Sequence, residues 1–139
     1  MAIPLADFIT YVTEHPLGVV ATLNAERGPE AALLSFAPLP DGDLLFDTQT
    51  ASRKACNLAT DPRIALVIGT TEESSIQVEG TAAFPADAAE QRAWAAAYEA
   101  RFPDSQAADA AFTIVRVHPH WLRHYIVGDT IHEGPVDWA

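Results

Sequence analysis

Apolar residues recur at helical spacing in the first segment of the chain. Between residues 4 and 14 they fall three or four positions apart, at Leu5, Phe8, Ile9 and Val12, and this period places them on one face of an amphipathic helix. The residue before a proline is pushed out of the helical region. The pattern therefore predicts a short helix that ends at His15-Pro16.

Strand patterns follow the first helix. Residues 17–24, 30–36 and 43–48 are rich in apolar side chains and are separated by the turn-forming stretches AERG and PLPDG. Consecutive strands joined by short connections usually lie next to each other in a sheet. We expect these three strands to form a β-meander.

Two further helices are predicted. Residues 51–62 form the first, with Thr50 or Ser52 as the N-cap and an Asp-Pro pair as its end. The alanine-rich residues 87–102 form the second. On that helix Trp94 and Tyr98 are one turn apart, and we expect them to pack against the core.

The other segments predict strands. The stretch RIALVIG is the most apolar and is expected to be central, whereas SSIQVEGTAAF alternates and places Ser75, Gln77 and Glu79 on one side. Residues 111–128 predict one or two strands bent at Pro119. Six or seven strands with short flanking helices in this order indicate a single, mainly β domain over residues 1–139, an antiparallel barrel rather than a βαβ fold.

Composition and charge narrow the classes of function. The 139 residues carry a net charge of -11 with only eight basic side chains, which argues against nucleic acid as a partner. Apolar runs stay well below the roughly 18–20 residues of a membrane span, and the N-terminus has no basic leader pattern. We expect a cytoplasmic protein with neither a membrane nor nucleic acid as partner.

The only lysine stands directly beside an arginine at a predicted helix start. Arg53 and Lys54 follow Ser52 there, although the helix dipole disfavours cations in the first turn by about 0.3–1 kcal/mol each. Free backbone N–H groups, a hydroxyl and two cations together favour an anion such as a phosphate. Salt bridges to the abundant carboxylates are the alternative that the local pattern leaves open.

The run GVVATLNAERGPEAALLSFAPLPDGDLLFDTQTASRKACNLATDPRIALVIG, continued by IQVEG, resembles the FMN-binding split β-barrel of the pyridoxamine 5'-phosphate oxidase-like family. SRK, NL, DPR-x-AL-x-I and VEG, taken together in this order, are the motifs that carry the resemblance. It implies a homodimer with FMN between the subunits, and an FMN-dependent oxidoreductase with a small-molecule substrate or reductant. Ser52, Arg53 and Lys54 match the family's phosphate clamp, and Asp47 and Thr48 match a strand-end pair against the cofactor.

Further cofactor-binding positions follow from the same resemblance. The family's second strand often carries basic residues, but EAALLSF has none, which leaves Leu34 and Ser35 as candidates near the isoalloxazine ring. Ser75 stands where the oxidase pattern has a glutamine, and Gln77 lies two residues later on the same face. Trp121 and Arg123 are expected to cover the cofactor across the dimer, with Trp138 also against the partner. The substrate element of the vitamin B6 oxidases is absent.

Three alternatives remain within the same fold: a non-catalytic flavin-binding or stress protein, a deazaflavin-binding protein and a haem-binding protein. Haem would have His118, His120 or His124 as candidate ligands. The same histidines lack a carboxylate or cysteine at ligand spacing, so we expect no metal site. Cys56 is expected to be a buried apolar residue rather than a nucleophile. The sequence assigns no catalytic residue.

Overall fold

Eight strands and three helices make up the part of the chain that the computed structural model describes, residues 1–138. Turn residues and helix caps separate these elements, and helices and strands follow one another in the predicted order. Their bounds are α1 Leu5–Glu14, β1 Leu17–Leu23, β2 Pro29–Ser35, β3 Ala37–Pro38, β4 Leu44–Gln49, α2 Arg53–Thr60, β5 Arg63–Ile68, β6 Ser74–Ala83, α3 Ala88–Arg101, β7 Phe112–Ile126 and β8 His132–Pro135.

Seven of the strands form one antiparallel sheet in the order β2-β1-β5-β6-β7-β4-β3, and β8 pairs with the C-terminal part of β7, residues 121–124. β2 and β3 stand at opposite ends of this order, yet only Phe36 separates them along the chain. The sheet must therefore curl until its two ends meet at Phe36, whose side chain is fully buried. The antiparallel split barrel expected from the sequence is confirmed.

The predicted three-stranded meander is wrong. β1 and β2 pair along their whole length, from Leu17 opposite Ser35 to Leu23 opposite Pro29, but β4 pairs with β7 instead of β2. The PLPDG turn does form a hairpin, although its first strand is only the two-residue β3. Because the chain crosses from one end of the sheet to the other at Phe36, a pattern of local turns does not reveal the partner of β4.

Two expectations about the central strands need correction or refinement. β5 has neighbours on both sides, but the middle position belongs to β6. β7 is one continuous strand rather than two, and the bend expected at Pro119 appears as a shift of register. Glu79 lies opposite Trp121 while Gly80 lies opposite Pro119, so His120 is the extra residue of a β-bulge.

The inner face of the sheet is closed by a continuous apolar core. Alternating positions of β5 and β6 point inward, as their alternating burial shows. Helix α1 covers one end through Phe8 and Val12, and α3 contributes Tyr98, which packs as predicted. The largest fully buried side chains are Phe8, Phe36, Phe46, Leu44, Leu45, Ile68, Ile76, Ile114 and Leu122.

The C-terminal segment folds back over α1 of its own chain. The ring of Trp138 lies 4.9 Å from that of Phe8, and its Nε1 donates to the carbonyl of Ile3 at 3.0 Å. Trp138 therefore packs on its own chain, and its expected contact with a partner subunit stays a prediction. Among the helices of residues 1–138, none is long and apolar enough to cross a membrane.

Candidate functional site

Two hydroxyls and two cations gather where β4 ends and α2 begins; we call Thr48, Ser52, Arg53 and Lys54 the α2 cluster. Ser52 is the N-cap, because its Oγ accepts from the backbone N–H of Ala55 at 3.2 Å. The same Oγ lies 2.8 Å from Thr48 Oγ1, and Lys54 Nζ donates to Thr48 Oγ1 at 3.3 Å. A strand end and a helix start thus bring together four of the residues that the sequence singled out.

The α2 cluster is built to receive negative charge. The first N–H groups of a helix have no acceptor within the helix, and the first turn of α2 carries no acidic residue. Arg53 and Lys54 add two formal charges at this positive end of the helix dipole. Side-chain and backbone donors therefore converge on one spot, as in anion sites at helix starts.

A carboxylate also lies at this spot. Glu30, on β2, forms an ion pair with Arg53 and accepts from Asn57 Nδ2 at 2.8 Å and from Asn24 Nδ2 at 3.2 Å. Hydrogen bonds from Asn57 and Asn24, together with the charge of Arg53, hold the pKa of Glu30 below its ordinary value. Glu30 is therefore an anion at neutral pH.

A cavity of about 220 Å³ opens beside the α2 cluster. Val20, Thr22, Glu30, Ala31, Ala32, Arg53 and Lys54 line it. Its volume lies below the roughly 300–1,000 Å³ typical of pockets that enclose a drug-sized ligand. One chain alone can therefore enclose a small anionic group here, but not a whole dinucleotide-sized or flavin-sized molecule.

A second group of expected residues surrounds Tyr98. Its hydroxyl donates to the carbonyl of Ser35 at 3.0 Å. Tyr98, Ser35 and Asp47 line one pocket of about 390 Å³. Burial raises the pKa of Asp47, an effect that the nearby Tyr98 hydroxyl partly offsets. Leu34 packs against the core next to this group, opposite Gly18.

The third group lies on the outer face of the sheet. Gln77 is opposite Arg123 across β6 and β7, and Ser75 is opposite Tyr125. Arg123 forms an ion pair with Glu133 of β8, 3.4 Å from Nε to Oε2, and Trp121 lies opposite Pro135. On one chain these residues face away from the barrel interior, as the burial of their neighbours Ile76, Val78 and Leu122 shows.

The three candidate histidines do not converge. His118 and His120 are close, with ring centroids 5.2 Å apart, but His118 Nδ1 lies 2.7 Å from Asp43 Oδ1 and His120 Nε2 lies 2.6 Å from Thr81 Oγ1. His124 instead packs edge-on against Tyr11 at 5.1 Å. Within residues 1–138, no three potential ligands are grouped to hold a metal ion.

Cys56 is exposed, so its expected burial is wrong. Helix α2 turns Ala55, Asn57 and Leu58 toward the sheet instead. The neighbouring residue Asn57 is buried instead of Cys56. Burial of this polar side chain is possible because its amide donates hydrogen bonds to Glu30 and Thr22.

Sequence reasoning missed the amide and carboxylate partners of the α2 cluster. A signal for Glu30 exists, since residues 30, 32 and 34 share the inward side of β2 and a charged residue is rare there. No comparable signal marks Asn57 or Asn24. Their roles depend on β1, β2 and α2 meeting at one place.

Comparisons with known proteins agree with this fold. A family model described as pyridoxamine 5'-phosphate oxidase matches residues 5–125. No curated protein matches the sequence. A conserved hypothetical protein from Mycobacterium tuberculosis is similar in structure, with a TM-score of 0.75, 20% identity, and coverage of 91% of this chain and 86% of that one.

Two further solved structures share the fold. General Stress Protein 26 from Bacillus anthracis has a TM-score of 0.70 and 19% identity, with 95% of this chain and 98% of that one covered. A heme binding protein from Mycobacterium smegmatis has a TM-score of 0.72 and 18% identity, with 97% of this chain but 59% of that one covered. At these identities the likeness concerns the fold alone.

Proposed function

Since the chain belongs to the pyridoxamine 5'-phosphate oxidase family, we propose that it binds FMN and acts as an FMN-dependent oxidoreductase. The observation that carries this proposal is the α2 cluster, in which Lys54, Thr48 and Ser52 form one hydrogen-bonded chain at a helix start. A phosphate monoester needs such a concentration of donors and positive charge.

The residues present fit a phosphate group, with one opposing feature. Lys54, Thr48, Ser52 and the free N–H groups of α2 would hold the phosphate, and Arg53 adds a guanidinium whose side chain is 80% exposed and free to turn. Glu30 opposes this, because its carboxylate is paired with that guanidinium. Two cations against one carboxylate still leave a net positive charge in the cavity.

The chemistry that FMN supplies when bound is hydride transfer at its isoalloxazine ring. This chain contributes binding and orientation. The α2 cluster would anchor the phosphate end, while Ser35 and Asp47 offer polar atoms on the neighbouring strands. Because a flavin carries the redox step, a dedicated acid or base on the chain is not required.

We also propose that two copies associate through the outer face of β1, β2 and β5. Val19 lies opposite Leu33 on one side and Val67 on the other, and all three are exposed. A parallel row of alanines runs beside them. We define the outer apolar patch as Leu17, Val19, Ala21, Ala31, Leu33, Ala65 and Val67.

A second copy of this chain is the occupant that the patch fits best. Two rows of cross-strand neighbours extend from the patch into β6 and β7. Val67 is followed by Gln77 and Arg123, and Ala65 is followed by Glu79 and Trp121. An apolar centre with a polar and aromatic rim is the anatomy of a protein interface. The same association would carry Trp121 and Arg123 toward the partner, in keeping with the expectation that they cover its cofactor.

A binding protein without turnover is the second candidate, supported by the shared fold with General Stress Protein 26. Steady-state oxidation of NADH or NADPH by the FMN-loaded protein separates the two functions. The haem alternative has the shared fold of the heme binding protein in its favour, but His118 and His120 are both engaged by side chains of their own chain. A deazaflavin with a polyanionic tail suits a chain of net charge -11 poorly.

Titration of the purified protein with FMN and with riboflavin tests the proposal. We expect FMN to bind at least about tenfold more tightly, since only FMN has the phosphate. Lys54→Ala should weaken FMN by about tenfold and leave riboflavin unchanged, whereas Arg92→Ala, which removes an exposed cation on α3, should change neither. Equal affinities for the two flavins, or no binding of either, would contradict FMN binding through the α2 cluster.

A further inference from the structure

Glu30 is an acidic residue built into a site that otherwise collects positive charge. It lies opposite Thr22 on the inward side of β2, and its side chain is only 16% exposed. It lines the same cavity as Arg53 and Lys54. A ligand phosphate held by Lys54 would therefore share this small space with a carboxylate.

The position of the Glu30 carboxylate is fixed from two sides. Asn57, which is buried, donates to Glu30 Oε1 at 2.8 Å and also reaches Thr22 Oγ1 at 3.0 Å. Asn24 donates to Glu30 Oε2, while its own Oδ1 accepts from the backbone N–H of Gly28 at 2.8 Å. Asn57 is tied to β1 and Asn24 to the β1–β2 turn, so the carboxylate cannot simply turn away when an anion enters.

Arg53 is the exposed partner in this arrangement. Its side chain is mostly exposed, and its guanidinium contacts Glu30. A guanidinium presents five N–H donors in a fixed plane, so binding of a phosphate here requires Arg53 either to leave Glu30 or to bridge the two anions. In both cases the Glu30 charge opposes the phosphate.

We propose that Glu30 is an internal counter-ion of the α2 cluster, which competes with the ligand's phosphate for Arg53 and so sets the affinity of the site for phosphate monoesters. This inference rests on the proposed FMN function and adds the residue that limits affinity. Glu30 is a specificity-determining residue in this role, since its effect falls on phosphorylated ligands and spares the unphosphorylated ones.

Flavin titration of Glu30→Gln tests the proposal. Glutamine keeps the size of the side chain and removes its charge. We expect FMN to bind about tenfold more tightly than to the wild type, with riboflavin affinity unchanged, because a close like charge in a partly enclosed site has an effect of that order. Glu72→Gln is the matched control: it removes an exposed charge in the β5–β6 connection and should alter FMN affinity by less than about twofold.

Each outcome of this titration decides the matter. Equal or weaker FMN affinity in Glu30→Gln than in the wild type, with binding intact in both, would overturn the role of Glu30 and leave the proposed function standing. A parallel change for FMN and riboflavin would also overturn it, since that marks a structural bridge between β2 and α2. Absence of FMN binding in both proteins would overturn the proposed function, and this inference with it.

A second variant serves if Glu30→Gln does not fold. Glu30→Asp keeps the charge and draws it back from Arg53 by one methylene. We expect this variant to bind FMN about threefold more tightly, again without a change for riboflavin. Unchanged or weaker FMN binding by Glu30→Asp would overturn the competition.

Discussion

At the scale of residues, Asp47 is a carboxylic acid whose surroundings disfavour its charged form. Burial raises the pKa of Asp47 above the ordinary value for aspartate. Tyr98, which is buried beside it, has a raised pKa as well, through burial and the neighbouring carboxylate. The raised pKa of an acid in the folded state means that its ionisation costs stability.

We expect Asp47→Asn to raise the melting temperature at pH 7 by about 2 °C. Because the folded-state pKa of Asp47 is raised, its favourable contribution is complete below the unfolded pKa of about 4 and is lost as the pH rises through the folded pKa. Asparagine removes that loss, so the gain should shrink toward pH 4. Circular dichroism melts at both pH values measure it.

Asp104→Asn is the control for this prediction, since it removes an exposed carboxylate from the same pocket. It should leave the melting temperature and its pH dependence nearly unchanged. A lower melting temperature of Asp47→Asn at pH 7 would mean that the charged form of Asp47 stabilises the fold.

The sequence predicts those site residues whose role depends on their neighbours along the chain. It misses those whose role depends on contacts between elements that are distant in sequence. Ser52 and Lys54 stand at a helix start, where cap preference and dipole polarity depend on neighbouring residues only. Glu30 meets Arg53 across 23 positions of the sequence and Asn57 across 27. Cys56 and Asn57 are adjacent, and only the packing of α2 on β1 decides which of them is buried.

At the scale of elements, β1 depends on a close approach at Gly18. A Cβ at this position would lie 2.4 Å from the carbonyl oxygen of Val67 and 2.9 Å from Cε2 of Phe36. Gly18 pairs with Ile68 of β5. It also lies beside the ring of Phe36, the residue at which the two ends of the barrel meet. Glycine thus allows the β1 backbone to lie close to both the Val67 carbonyl of β5 and the Phe36 ring.

We expect Gly18→Ala to lower the free energy of unfolding by about 2–3 kcal/mol, because backbone or a buried ring must shift to admit the methyl group. Gly128→Ala separates this from backbone strain. Gly128 has φ of 78° and open space around it, so alanine there should cost only about 1 kcal/mol. Urea unfolding curves compare the two, and a smaller loss for Gly18→Ala than for Gly128→Ala would contradict the packing argument.

Most elements follow from local patterns, but the pairing of the strands does not. The period of residues 4–14 predicts α1 to within one residue of Leu5–Glu14, and alternation predicts the exposed side of β6. The partner of β4 is β7, more than 60 residues away. Turn residues indicate only which strands are joined by a short connection, so they carry no information about a pairing over this distance. For that reason the turns alone predict the incorrect meander.

At the scale of the whole molecule, the association of two copies that we propose must overcome a net charge of -11 on each copy. Two such chains repel each other at long range, and salt screens this within about 8–10 Å. A contact between copies therefore favours a surface without charges of its own. The outer apolar patch meets this condition, and a two-fold axis through it would bring the same residues together from both copies.

Val19→Lys at the centre of the outer apolar patch tests this association. Lysine reduces the net negative charge, so dissociation of this variant cannot be attributed to added repulsion. We expect the wild type to sediment at twice the chain mass of 15.0 kDa and Val19→Lys to dissociate with at least about a 100-fold weaker constant, as for a buried central interface residue. FMN affinity should fall with it, because Trp121 and Arg123 would no longer reach the partner's site. Val127→Lys, at an equally apolar but remote exposed position, should leave both properties unchanged, and a dimeric Val19→Lys would place the interface elsewhere.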